Sequence, residues 1–178
     1  CIFHNSRVPW RADKIYQMML NAPVNVLNRI GLRGSLHSVN EVEANSVRIA
    51  GIGGGRVGEA MVVVGNLLIN FDYNLMSRVW KVPDQPFRDM ALETMEERVG
   101  TLNKLGCNHT PESLESFLTD AFTKSLERPV HEEHLEMREI EAGRSTASDL
   151  ASNEFLLLHR PKGEVKPMNS LKISADVF

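Results

Sequence analysis

Two stretches decide the fold: Val47-Arg48-Ile49-Ala50-Gly51-Ile52-Gly53-Gly54-Gly55-Arg56, and, three residues on, Ala60-Met61-Val62-Val63-Val64-Gly65-Asn66-Leu67-Leu68-Ile69-Asn70-Phe71. Residues 39–42 and 47–50 read as short strands around the turn-forming Asn45-Ser46. The glycines of residues 51–55 read as a loop, because clustered glycine is the strongest local punctuation in a chain. Residues 59–64 and 67–71 form the strongest strand pair, with Gly65-Asn66 as the tight turn between them. Their continuous apolar runs predict at least one central strand covered on both faces.

Upstream, Ile15, Met18, Met19, Val26, Leu27 and Ile30 recur at three- and four-residue intervals, which predicts an amphipathic helix over residues 12–30 ended by Gly31. Pro23 either kinks this helix or divides it into two. Downstream, Asp72 caps a helix over residues 73–80 with Leu75, Met76 and Val79 as its apolar face. Residues 87–99 resume helical spacing, with Met90, Leu92, Met95 and Val99 as core contacts. Thr110-Pro111 is the clearest helix start, and Leu114, Phe117, Leu118, Ala121, Phe122 and Leu126 give that helix a broad apolar face. A charged helix is expected over residues 131–142, a further turn near residues 148–151, and a strand over residues 154–159.

The chain has 178 residues, of which 42% are hydrophobic and 24% charged, the composition of a globular domain. At this length a core forms without disulfide or metal. Twenty Lys and Arg against twenty-three Asp and Glu give a formal charge of -3, which excludes a strongly basic protein gripping nucleic acid chiefly through phosphates. Cys1 and Cys107 make no disulfide framework, so a reducing compartment is expected, cytoplasm or organelle matrix. No apolar run approaches the roughly 20 residues that cross a bilayer, and no membrane association is expected. The chain opens on Cys1-Ile2-Phe3-His4 and closes on Leu171 to Phe178, both strand-like, which suggests part of a larger molecule.

Several residues invite chemistry. Residues 51–55, with Arg48 before and Arg56 after, can form an anion-binding loop, a structural glycine loop or a substrate lid. The first lacks the Lys-Ser/Thr ending of a P-loop. Cys107 and His109 bring a thiol near a base, but no carboxylate is placed to order them. His131 and His134 can share a helix face, yet spacing supplies no third metal ligand. Asp120, Glu127, Glu132 and Glu133 make no acid pair by spacing. Arg7, Arg11 and Lys14 can guide an anionic substrate or acidic partner, or simply face solvent. Trp10 and Trp80 read as core or interface anchors.

From Asn40-Glu41-Val42-Glu43 through Val47-Arg48-Ile49-Ala50-Gly51, the sequence resembles the central region of lipoate-protein ligases and related acyltransferases. Their usual pattern is an Asn-Asp pair followed by Lys-Ile-Ser/Ala-Gly. The likeness continues through residues 65–76, Val82-Pro83, Phe87-Arg88-Asp89 and Glu97-Arg98-Val99, and covers roughly residues 10–160. It implies an α/β fold: the mixed-sheet catalytic domain shared by biotin and lipoate ligases, here incomplete. By the same resemblance, the family's Arg-Arg and glycine-rich His-Asp segment is expected ahead of Cys1. The implied organisation is a partial catalytic domain over residues 1–160, a connector over 161–170 and the start of an accessory domain over 171–178.

The resemblance also implies an activity: activation of lipoate by ATP with Mg²⁺ to lipoyl-AMP, then transfer to a lysine of a lipoyl-acceptor protein. A complementary catalytic subunit or accessory domain would complete the site. Arg48 stands at the family's catalytic Lys position and Glu41 at its Asp, so Arg48 is the candidate catalytic residue. Asn40, Glu41, Gly51, Gly53, Gly54, Gly55 and Arg56 are the candidate substrate-binding set, and no metal ligand is assigned. Arginine keeps the charge of lysine but not its reach or geometry. The alternative is a noncatalytic module that binds a lipoylated protein or acyl ligand.

Overall fold

The computed structural model describes residues 1–158, and the expected connector and accessory start over 161–178 lie outside them. The chain divides into two compact units, Cys1–Val130 and a second beginning at His131. In the first unit, β1 (Ile2–His4), β2 (Gly34–Leu36), β3 (Glu41–Ala44), β4 (Val47–Val57) and β5 (Ala60–Leu67) form one sheet in the order β1-β5-β4-β3-β2. Each neighbouring pair is antiparallel. A parallel bridge joins Arg48 to Val99.

Asn45 and Ser46 both have positive φ, 52° and 70°, and close β3 onto β4 as a two-residue hairpin. Paired positive φ is the twist-matching turn for such hairpins. The other two expectations for this region are corrected. Residues 51–55 are not a loop, because β4 runs straight through them and pairs with β5 from Ala50↔Leu67 to Val57↔Ala60. Nor do Gly65-Asn66 form a turn; they lie within β5, opposite Ile52 and Gly51. The β4–β5 turn is at Gly58-Glu59, where Gly58 takes φ 57°.

α1 (Ala12–Arg29) is one helix with Pro23 inside it, and Gly31 follows its end at φ 84°. α4 (Pro111–Leu126) starts where expected, with the Thr110 hydroxyl accepting from Ser113 N–H at 3.3 Å. These helices pack on the same sheet face: Leu20, Val26 and Leu27 of α1 and Leu114 and Ala121 of α4 enclose Val42, Ile49, Ala50 and Leu102. A smaller cluster joins Ile15 and Met19 to Met61 and Val63. β5 is an interior strand, between β1 and β4, but is not covered on both faces as predicted, since Met61 and Val63 are buried while Val64 is exposed.

Asp72 caps α2 (Tyr73–Val79) through Leu75 N–H at 2.8 Å, and Asp84 caps α3 (Gln85–Arg98) through Phe87 N–H at 2.9 Å. Their buried faces differ from the predicted ones. Tyr73 and Ser77 are buried in α2 while Leu75 and Val79 are exposed, and in α3 Met95 is buried while Met90 is exposed. The Tyr73 hydroxyl donates to the Val99 carbonyl at 2.7 Å, which turns α2 inward on that side.

In the second unit, α5 (Met137–Leu150) begins six residues later than predicted and passes through Gly143. The Glu136 backbone N–H donates to Glu139 Oε2 at 2.8 Å, and this interaction sets the start. The strand expected over 154–159 is corrected for its described part: α6 (Asn153–Leu156) follows a Ser152 cap. No described helix is long and apolar enough to cross a membrane.

Candidate functional site around Arg48

Arg48 lies at the start of β4, where the ladder to β3 is irregular: Val42 pairs with Ala50, but Glu43 pairs with Arg48. This bulge gives β4 one extra residue, so Ile49 enters the core while Arg48 is free to turn to the other face. Its Nε lies 3.1 Å from Glu41 Oε1. Glu41 stands directly opposite Gly51, so the ion pair lies across the β3–β4 seam. The two side chains are 44% and 28% exposed, so the guanidinium is held and still open to a ligand.

Gly51 explains how the arginine lies flat there. A Cβ at residue 51 would sit 2.7 Å from Arg48 Nη2, so any side chain would push the guanidinium off the strand. Gly51 N–H in turn donates to Asn66 Oδ1 at 2.9 Å, which ties the backbone below the guanidinium to β5. Asn66 is the positioning residue that sequence reasoning missed, because Gly65-Asn66 carries the signature of a turn.

The other glycines differ from Gly51 and from one another. A Cβ on Gly54 would meet the Val62 carbonyl oxygen at 2.5 Å, so this glycine is needed for the β4–β5 pairing. Gly53 and Gly55 have nothing within 4 Å of such a Cβ. Alternation places Gly51, Gly53 and Gly55 on one face with Val62 and Val64 opposite, a strip of bare backbone beginning beneath Arg48.

Not every candidate joins this strip. Asn40 is near, since its carbonyl accepts from Ile52 N–H at 2.9 Å, but its side-chain oxygen accepts from the Ser38 hydroxyl at 3.2 Å. Arg56 is eight residues along β4, about 26 Å in extended chain, and its Nη2 donates to the Trp10 carbonyl at 3.2 Å. Arg48 and Arg56 therefore do not converge on one small anion. Cys107 is buried in the core and His109 packs edge-on against Phe117, so the pair makes no exposed thiol–base site. His131 and His134 precede α5 and share no helix. Among the described residues no three His, Cys, Asp or Glu side chains converge as a metal site.

An apolar cavity of about 210 Å³ lies between α1, α4 and the sheet, lined by Met19, Pro23, Ile52, Val63, Leu118 and Phe122 among others. Ile52 and Val63 point to the helix-covered face, opposite the Arg48 side of the strand. Gly51 and Asn66 line the cavity as well, so it reaches the backbone beneath Arg48.

Residues 1–123 match the family described as the lipoyl protein ligase A/B catalytic domain. A search of curated proteins finds no match. Among solved structures, the chain is similar to a bipartite lipoate protein ligase from Thermoplasma acidophilum, studied with its E2 lipoyl domain: 22% identity, TM-score 0.80, 92% of this chain and 64% of that one. It is similar to a lipoate-protein ligase A bound with ATP, at 20% identity and TM-score 0.64 over 79% of this chain and 57% of that one. A putative lipoate protein ligase from T. acidophilum with bound lipoic acid gives 17% identity and TM-score 0.68 over 86% and 61%. The chain therefore spans less than two thirds of the length of each. These likenesses agree with the α/β fold expected from the sequence.

Proposed function

Because the chain belongs to the lipoyl protein ligase A/B catalytic domain family, we propose that it is the Arg48-bearing part of an enzyme that activates lipoate with ATP and transfers the acyl group to a lysine of an acceptor protein. The match of residues 1–123 carries this reading, and the exposed guanidinium over bare backbone supports it. In the first step a lipoate carboxylate oxygen bonds to the α-phosphorus of ATP as the bond to pyrophosphate breaks. In the second the lysine amine, losing a proton, bonds to the acyl carbon as AMP leaves with the C–O electron pair.

Arg48 is suited to both steps. Its planar head can donate two parallel hydrogen bonds to a phosphate or carboxylate, and charge developing on the acyl phosphate or carbonyl oxygen is stabilised by a cation already in place. Glu41 holds Nε and leaves the terminal nitrogens over the Gly51 backbone. The strip from Gly51 to Gly55 lets an elongated acyl-adenylate lie close to the main chain. Asn40 acts on the strand that carries Glu41 rather than on the ligand, and Arg56 has its own place at the far end of β4. A divalent cation used in the first step would be held by the nucleotide phosphates together with one or two carboxylates. A complementary subunit or further domain would supply the rest of the site.

Arginine at the lysine position gives the second reading, a noncatalytic module that binds an acyl ligand or lipoylated protein. The two readings separate when the full-length protein, with any copurifying subunit, is given ATP, Mg²⁺, lipoate and an apo acceptor domain. The ligase produces acceptor heavier by one lipoyl group and stoichiometric AMP. Ligand binding without AMP or modified acceptor supports the module and refutes the ligase.

A further inference from the structure

The segment leading into α1 and the β4–β5 hairpin end are in contact, and both carry basic residues that the site around Arg48 does not use. Arg7 ends a one-turn 3₁₀ helix, Arg11 precedes α1, and Lys14 lies in its first turn. Arg56 reaches them from β4 through the Trp10 carbonyl. Two more contacts fix the segment: Asn5 N–H donates to the Glu59 carbonyl at 2.8 Å, and the Asn5 amide donates to the Gly58 carbonyl at 3.2 Å. In the middle, Trp10 is 82% exposed.

The acidic groups here are few. Asp13 is taken by Arg11, whose Nε and Nη2 donate to its two oxygens at 3.0 and 2.9 Å. These hydrogen bonds hold the Asp13 carboxyl below its usual range. Glu59 faces His4 at 4.0 Å. Arg56 reaches the Trp10 carbonyl, and Arg7 and Lys14 flank the exposed tryptophan in the chain, three residues before it and four after. Trp and Arg are the residues in which interface energy concentrates, and a large aromatic exposed among cations gives an apolar anchor inside a positive rim.

We infer that Trp10 with Arg7, Lys14 and Arg56 is the docking surface for an acidic acceptor domain, with Trp10 as its anchor. The inference rests on the ligase reading for the identity of the partner. Charge complementarity requires acidic side chains on the docking face of that domain. A domain of about 100 residues has a radius of gyration of about 13 Å, so one docked domain can span the distance of about 26 Å from residue 56 to residue 48 along β4.

The test uses the full-length protein and an acidic apo lipoyl domain, with affinity measured by calorimetry at about 50 and about 300 mM salt. Trp10→Ala should weaken binding about 30-fold, the size of an interface anchor. Arg7→Glu/Lys14→Glu should weaken it further and flatten its salt dependence. Pyrophosphate release from ATP and lipoate without acceptor should be unchanged in both variants. Unchanged acceptor affinity in variants with native circular dichroism overturns the inference, as does tighter capture of a DNA or RNA oligonucleotide than of the acceptor domain. Absence of pyrophosphate release from the unaltered protein would instead count against the ligase reading, and the binding measurements would still decide the docking surface.

Discussion

Replacing Arg48 with alanine is expected to lower the rate of lipoyl-AMP formation by about 10²–10³-fold, the loss seen when one preorganised donor to a developing oxyanion is removed. Folding should hardly change. The guanidinium is partly exposed and its partner Glu41 remains partly solvated, so the lost ion pair is worth at most about 1 kcal/mol. Burst-phase pyrophosphate release on the full-length protein, with thermal unfolding on the same samples, separates the two effects. Arg48→Lys discriminates further. Lysine keeps the charge but gives up the planar two-point contact, so it should retain more activity than alanine if charge is the main contribution. A fully active Arg48→Ala with native stability would remove Arg48 from the mechanism.

The glycines of β4 should split into two behaviours. Gly53 and Gly55 have open space where a side chain would go, and glycine inside a strand costs roughly 0.5–1 kcal/mol in chain entropy. Gly53→Val and Gly55→Val together should therefore raise the unfolding temperature or leave it unchanged. Activity should fall by about 10²-fold, because a ligand lifted about 1 Å off the backbone loses its alignment with Arg48. Gly54→Ala should do the reverse to stability. Its Cβ would press on the Val62 carbonyl, and the forced separation of β4 and β5 should cost about 1–3 kcal/mol. Melting curves and steady-state rates on the three proteins check this. A Gly53/Gly55 double variant with full activity would show that the bare strip has no ligand over it.

How far the sequence made this visible depended on whether the signal was local. The Thr110, Asp72 and Asn45-Ser46 signals act within a few residues of themselves, and each formed its cap or turn. α1 was legible as helix by its spacing, and continuity through Pro23 was decided by burial against the sheet, since Ile15, Leu20, Val26 and Leu27 need one straight face. Residues 51–55 and 65–66 went the other way. Their glycines and asparagine carry turn chemistry, but a ladder of backbone hydrogen bonds between two eight-residue tracts outweighed it. That ladder is a nonlocal interaction. Glu136 was invisible as a helix start because the capping pattern usually begins with Ser or Thr.

The site was legible in part for the same reason. Arg48 stood out through resemblance to a known motif, and Glu41 with it. The bulge that turns Arg48 toward Glu41, and the Asn66 amide that ties down Gly51, come from strand pairing and could not be read from spacing. Arg56 is close to the glycines in sequence, yet β4 as an extended strand carries it about 26 Å away.

In the proposed reaction Arg48 and the backbone beneath it face an activated acyl group. The most direct measurement is a crystal structure of the full-length protein with a nonhydrolysable lipoyl-adenylate analogue. A terminal nitrogen of Arg48 should lie within about 3 Å of the acyl-phosphate or acyl-carbonyl oxygen, with the ligand along Gly51, Gly53 and Gly55. An analogue bound elsewhere, with Arg48 still paired to Glu41 and facing only solvent, would contradict it.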